Sequence, residues 1–191
     1  MYLKWIVCDV KKDKIREFSV AQQKWDRSTV AEGFIAQFGG WNINNKTEAC
    51  ILSIWEHKNH QEKFMNDLHD QIFENNKQLE TYNSIRVDHF YVESDLDSKT
   101  IVEMVKESRI LIVSDYLSKK SIKYFDETLK IKNQYIISKN ESNGSRQLFI
   151  KFSDDVIVNS EIINKLLPNI DEIEKTEKKQ ILLDDSWRVC S

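Results

Sequence analysis

Aromatic side chains alternate with amides along the first half of the chain, and one histidine falls among them. Gln22 and Trp25 are three residues apart, Gln37 and Trp41 four apart, Trp55 closes an apolar run, and His69 follows in a helical stretch. Tryptophan faces, a few amides and an imidazole suit a flat organic ligand. Gln22, Trp25, Gln37, Trp41 and Trp55 are therefore the candidate ligand-binding residues. His69 is the candidate for proton transfer, because an imidazole titrates near neutrality. Asp9 is the second catalytic candidate. It ends an apolar run, where a buried carboxyl is raised in pKa and serves as acid or base. Structural readings stand beside these: the tryptophans as core, His69 as a surface histidine, and Asp9 as an acceptor for the following turn.

Other chemistry lacks its residues. His57 and His60 are three apart, which suits metal ligation on a helix, but no third ligand is evident and no metal is expected. There is no Gly-rich phosphate loop, nucleophile elbow or Cys–His pair. Cys8, Cys50 and Cys190 are odd in number and far apart, so no disulfide framework is expected. Cys8 and Cys50 read as small buried hydrophobes and Cys190 as exposed.

The 191 residues suffice for one sizeable domain or two smaller ones. Net charge of −3 argues against nucleic acid as a partner. No apolar run is long enough to span a bilayer, and Met1-Tyr2-Leu3-Lys4-Trp5 lacks the plan of a signal peptide, so the expected location is cytoplasmic, away from membranes.

These residues must be positioned by elements, which the periodicity supplies. Residues 3–10 predict a strand with Trp5, Val7 and Asp9 on one face and Ile6, Cys8 and Val10 on the other. Ile15, Phe18, Ala21, Gln22 and Trp25 predict a helix over 13–27, capped by Asp13. Gly33 leads into a second strand that bends at Gly39-Gly40 and carries Trp41 outward. Residues 48–56 form a third strand, hairpinned to it through Asn44-Asn45-Lys46-Thr47. A long helix capped by Asn59 follows, with Phe64, Leu68, Ile72 and Phe73 as its stripe. A fourth strand runs over 84–93. The order is β-α-β-β-α-β, a ferredoxin-like unit.

After the polar break at 94–99 and a short helix over 100–107, the order recurs. Strands are predicted over 110–116, 134–139, 147–152 and 180–189, with helices starting at Ser118 and Ser160. Ile6-Val7-Cys8-Asp9 matches Ile112-Val113-Ser114-Asp115, and Asp88 to Val92 matches Asp185 to Val189. The predicted architecture is α+β. It has a first ferredoxin-like unit over 1–95, a linker over 96–107, and a second, divergent unit over 108–191. All four histidines and four of the five tryptophans fall in the first half, which is expected to carry any site, with the second half as structural partner.

Lys4-Trp5-Ile6, Phe18…Gln22…Trp25, Gly33-Phe34…Gln37…Gly39-Gly40-Trp41, Trp55 and His69-Asp70 together resemble the YdbC-like bacterial proteins of the dimeric α+β-barrel superfamily. That superfamily includes the antibiotic biosynthesis monooxygenases. The resemblance implies that two ferredoxin-like units pair their sheets into a barrel, closed here as an intramolecular pseudo-dimer or through a homodimer. It also implies a pocket between a sheet and its own helices. It does not extend to the haem-degrading branch, because His69 lacks the spacing from an upstream helical tryptophan. No cofactor is expected. The functions implied are a cofactor-independent monooxygenase-like enzyme acting on a small aromatic or polyketide-like molecule, a non-catalytic binding or sensing module, or a structural barrel partner.

Overall fold

The computed structural model describes residues 1–118, 135–154 and 173–191. Nine strands appear among them: β1 Tyr2–Val10, β2 Phe34–Asn42, β3 Asn45–Trp55, β4 Tyr82–Val92, β5 Ile110–Ser118, β6 Tyr135–Asn140, β7 Arg146–Ser153, β8 Ile173–Leu183 and β9 Val189–Cys190. All pairings are antiparallel. The sheet runs β3-β1-β4-β6-β7-β5-β8-β2, and β2 pairs β3 again, so eight strands close a barrel. Each half contributes four strands in the order fourth, first, third, second, which is the ferredoxin-like arrangement.

The two seams are alike. At one, Phe90, Tyr91 and Val92 of β4 pair with Asn140, Lys139 and Ser138 of β6. At the other, Gly40, Trp41 and Asn42 of β2 pair with Leu183, Leu182 and Ile181 of β8. In both, the fourth strand of one half meets the second strand of the other, so a single chain closes the pseudo-dimer. The Gly39-Gly40 pair belongs to this packing. A Cβ on Gly39 would lie 2.3 Å from the Cys50 carbonyl oxygen, and one on Gly40 would lie 1.9 Å from that of Leu182.

Strand alternation sorts the side chains into two layers. Leu3, Trp5, Leu52, Ile54, Phe90, Leu111, Val113, Leu148, Ile150 and Phe152 fill the barrel interior. Helix α4, Ser98–Glu107, lies in the segment expected as linker. It packs Ile101, Met104 and Val105 into the same core, with Asp97 accepting from the Thr100 N–H at its start. Charges share one part of the interior. Arg146 donates to both Asp88 (2.8 Å) and Asp115 (2.6 Å), and Lys179 donates to Glu48 (2.7 Å). The Asp88 and Glu48 pairs join β4 to β7 and β3 to β8 across the two halves, and the Asp115 pair joins β5 to β7 within the second.

On the other side of the first sheet lie α1 Ile15–Gln23, α2 Lys58–Phe64 and α3 Asp70–Asn76. Several expectations are corrected here. The first helix ends at Gln23 and continues as 3-10 turns over Lys24–Val30, where Ser28 and Thr29 hydroxyls bond back to the Trp25 and Asp26 carbonyls. Asp13 and Asn59 do not cap; the capping positions are Lys14 and His57. The long second helix is broken by a π-turn over Met65–His69 and ends at Lys77, which adopts φ 54°. The final strand stops at Leu183. Trp187 then turns back onto the first half against Phe18 and Trp41. Cys190 is half-buried in β9 rather than exposed. The helices expected from Ser118 and Ser160 lie outside the described residues, apart from Ser118 itself (the end of β5) and the last residue, Ile173, which starts β8.

Candidate functional site

A cavity of about 570 Å³ lies between the first sheet and its helices. Its floor is set by strand register. Trp55 and Tyr2 stand side by side across β3 and β1, with Tyr91 of β4 next in the same row, outside the lining. The next row toward the sheet centre is Gln37, Ser53, Lys4 and His89, one from each of β2, β3, β1 and β4. After it come Ile51, Ile6 and Val87. A single polar row thus crosses a floor that is aromatic on one side and aliphatic on the other. Neighbouring strands lie about 4.8 Å apart, so the row spans about 14 Å. The register shift in β2 between Phe34 and Ala36 lets both Phe34 and Gln37 meet this side of the sheet.

The roof comes from Gln22, Trp25, Phe64, Met65, His69, Phe73 and Gln78. Trp25 Nε1 donates to Gln78 Oε1 (2.9 Å), and Gln78 Nε2 donates to Gln22 Oε1 (2.9 Å), so these buried groups satisfy one another. His69 lies beside Trp25 and stacks on Phe73, with Nδ1 2.9 Å from Asp70 Oδ1. The π-turn ends at this histidine; such turns widen a helix locally and recur at functional sites.

At the mouth, Glu141 reaches in from the turn after β6. It accepts from the Tyr2 hydroxyl (2.6 Å) and from Lys58, which also pairs with Glu62. The second half, expected only as a structural partner, therefore supplies one lining residue. Lys58 and the Tyr2 hydroxyl hold the Glu141 carboxyl below the usual range.

Of the sequence candidates, Gln22, Trp25, Gln37, Trp55 and His69 line this cavity together. Trp41 does not. It shares the face of Gln37 but stands two rows farther on, packed between Phe18 and Trp187. Asp9 is exposed and lies on the interior-facing parity of β1, opposite to Lys4, where it accepts from Asn83. Its expected burial is thereby corrected. Among the described residues no cluster of three or more metal-ligating side chains occurs, and no helix is long and apolar enough to cross a membrane.

Sequence reasoning passed over Lys4, Tyr2 and Glu141 and ranked His89 below His69. Lys4 had a signal: it is the one charged side chain on its face of β1. Burial pushes its ammonium down to about 8. His89, stacked on Tyr2, is also pushed down, by burial first and by Lys4 second.

The second sheet lacks this row. Matching Asp9 to Asp115 matches Lys4 to Ile110, and Ile110 pairs with Ser153 and Leu182. Serine is kept where Ser53 stands, while isoleucine and leucine replace the lysine and histidine. The same register overturns the match of Asp88–Val92 with Asp185–Val189, because Leu182 is the counterpart of His89.

A family profile described as a domain of unknown function (DUF4937) matches residues 2–90, a span that contains every cavity residue except Glu141. Uncharacterized protein YdbC of Bacillus subtilis (strain 168) is 36% identical over 89 residues, 46% of this chain and 75% of the relative. The chain belongs to the YdbC-like family. Solved structures extend the likeness past the family segment. One, described as a "putative monooxygenase" from Lactobacillus acidophilus NCFM, is similar over 99% of this chain and 95% of its own, with a TM-score of 0.69 and 9% identity. Another, described as an anthrone oxidase-like protein, is similar over 96% of this chain and 91% of its own, with a TM-score of 0.61 and 8% identity. At such identities the likeness is one of fold: this YdbC-like chain shares the α+β barrel of both.

Proposed function

We propose that the cavity binds a flat, largely apolar small molecule, and that the chain acts on it as a cofactor-independent monooxygenase-like enzyme with an aromatic or polyketide-like substrate. The observation that carries this reading is the single polar row, Gln37-Ser53-Lys4-His89, on an otherwise apolar floor beneath Trp25, Phe64 and Phe73. Apolar walls with a few placed polar groups are what orient such a ligand. The fold supports it through neighbours described as monooxygenase and oxidase-like proteins.

The reaction in view converts an activated methylene to a carbonyl: one O₂ is consumed, one oxygen enters the substrate and the other leaves as water. The substrate supplies all four electrons, so the stoichiometry needs no further reductant. A base must first take a proton to make the electron-rich anion. His89, held neutral by burial and Lys4, and His69 on the roof are the groups placed for it.

A non-catalytic binding module is the second reading. It is favoured by the mutual saturation of Trp25, Gln78 and Gln22, which makes the roof a finished wall with few free groups. Oxygen uptake with a panel of anthrones and polycyclic phenols, using chelator-treated protein, separates the two. Uptake that falls at least tenfold in His89→Ala or His69→Ala, with a carbonyl product by mass spectrometry, supports the enzyme. Tryptophan quenching by the same compounds without oxygen uptake leaves the binding module. Neither signal overturns both.

A further inference from the structure

The charges around the cavity are sorted by depth. At the mouth, Lys58 holds both Glu141 and Glu62, and Glu62 is more than half exposed. On the floor, Lys4 Nζ donates to the Met65 sulfur at 3.7 Å, and among the described residues no carboxylate lies within ion-pair distance of it. The groups flanking Lys4 are neutral or able to be: Ser53, already engaged by the Trp55 N–H at 3.3 Å, and His89. Gln37, at the end of the row, is buried and has no side-chain hydrogen bond among the described residues. A cation held in an apolar cavity without a counter-charge is costly unless something pairs with it. The second sheet, with Ile110 in the equivalent place, folds without one.

We propose that the ligand of this cavity is an organic acid whose anionic oxygen (carboxylate, phenolate or enolate) pairs with the Lys4 ammonium, while its flat apolar body lies between the Trp55–Tyr2 row and the roof. The proposal rests on the cavity reading above and narrows its substrate class. Gln37 and His89, on the same row, meet polar atoms to either side of the anionic one. Lys4 is thereby a specificity-determining contact. The burial that depresses its ammonium is the cost that an entering anion relieves.

The test uses the full chain with 2-naphthoate and 2-naphthamide, which have nearly the same shape and differ in charge. Binding is read by calorimetry at pH 6.5. The wild type is expected to bind the acid about tenfold more tightly than the amide, as a charge-assisted hydrogen bond predicts. Lys4→Met should weaken the acid about tenfold and the amide by much less, so that the preference disappears; Lys4→Arg should keep it. Circular dichroism and the thermal melt of each variant report that it is folded. Equal binding of both probes by the wild type, or a preference that survives Lys4→Met, overturns the proposal while the cavity reading stands. Uptake of neither probe overturns both.

Discussion

Lys4 and His89 stand directly opposite one another across the β1–β4 ladder, on the side of the sheet that carries the cavity. Two side chains that both become cationic on protonation share one partly desolvated spot. The lysine carries the charge at neutral pH, and the histidine is held neutral, leaving its ring free to accept a proton.

The first prediction concerns stability. The Lys4 ammonium is pushed below its ordinary value, so the unfolded chain binds the proton more tightly than the folded one between about pH 8 and the ordinary lysine range. The Lys4 contribution to stability should therefore rise with pH across that window and narrow the gap to Lys4→Met, while the buried Tyr2, Cys8, Cys50 and Tyr116, all pushed up, act in the opposite sense equally in both proteins. Lys4→Met should lack this rise and should be the more stable protein at pH 7, by about 1 kcal/mol. Urea denaturation at pH 7 and pH 10 checks both.

Ligand binding should show the mirror image. Affinity for 2-naphthoate is expected to be steady up to about pH 8 and to fall above it as Lys4 loses its proton. Other titratable groups facing the cavity are His89 and Tyr82 on β4, His69 on the roof, Lys58 and Glu62 on α2, Tyr2 and Cys8 on β1 and Glu141 from the second half; burial pushes the Cys8 thiol up to about 12 and Tyr82 upward. Burial and the Lys4 charge hold His89 below the ordinary imidazole value, away from this window, and Lys4→Arg should abolish the fall. A fall that persists in Lys4→Arg would assign it elsewhere.

Arg146 ties the halves together. Its guanidinium holds Asp88 below the usual carboxylate range and also bonds Asp115. Arg146→Met leaves two facing carboxylates and should cost about 3 kcal/mol at pH 7. The stabilisation from Asp88 is present above the unfolded carboxyl value of about 4 and is lost as pH falls through the lower folded value. The gap between wild type and variant should accordingly close in acid, which chemical denaturation at pH 7 and pH 2.5 would report.

Gly40→Ala should damage the β2–β8 seam, because the new Cβ meets a backbone oxygen, which cannot move aside. A loss of about 3 kcal/mol is expected. Gly144→Ala is the control: its Cβ meets only the flexible end of Lys139 at 3.0 Å, and thermal melting should shift little.

The Trp25–Gln78–Gln22 chain gives a further test. Gln78→Leu strands the Trp25 N–H and should cost about 1–3 kcal/mol, whereas the same change in a Trp25→Phe background, where no N–H is left to strand, should cost less. Thermal melts in the two backgrounds decide it.

Much of this could be read from residue order. Period-two alternation in β1 and β3 and period-three-to-four recurrence around Phe18 and Trp25 are local signals. They placed the strands and the first helix, and the resemblance of the first half led to the barrel. The joint appearance of Gln22, Trp25, Gln37, Trp55 and His69 around one cavity follows from parity within each element. Asp9 failed as a candidate for the same kind of reason: its own parity put it on the opposite face from Lys4, and its place at the strand end left it exposed. Trp41 failed because parity names a face and not a row.

The sequence by itself determined which side chain each strand presents to which face, since a strand's backbone sets alternation without help from its neighbours. Tertiary structure alone decided what stands beside what. The polar row exists because ladder hydrogen bonds align Gln37, Ser53, Lys4 and His89, residues far apart in the chain, and a slip of one residue between β1 and β4 would move Lys4 or His89 out of the cavity. Closure likewise brings Glu141 to Tyr2 and Lys58 and sets Leu182 against Gly40. Those contacts are made between residues of different halves, and no local pattern encodes the distance between them.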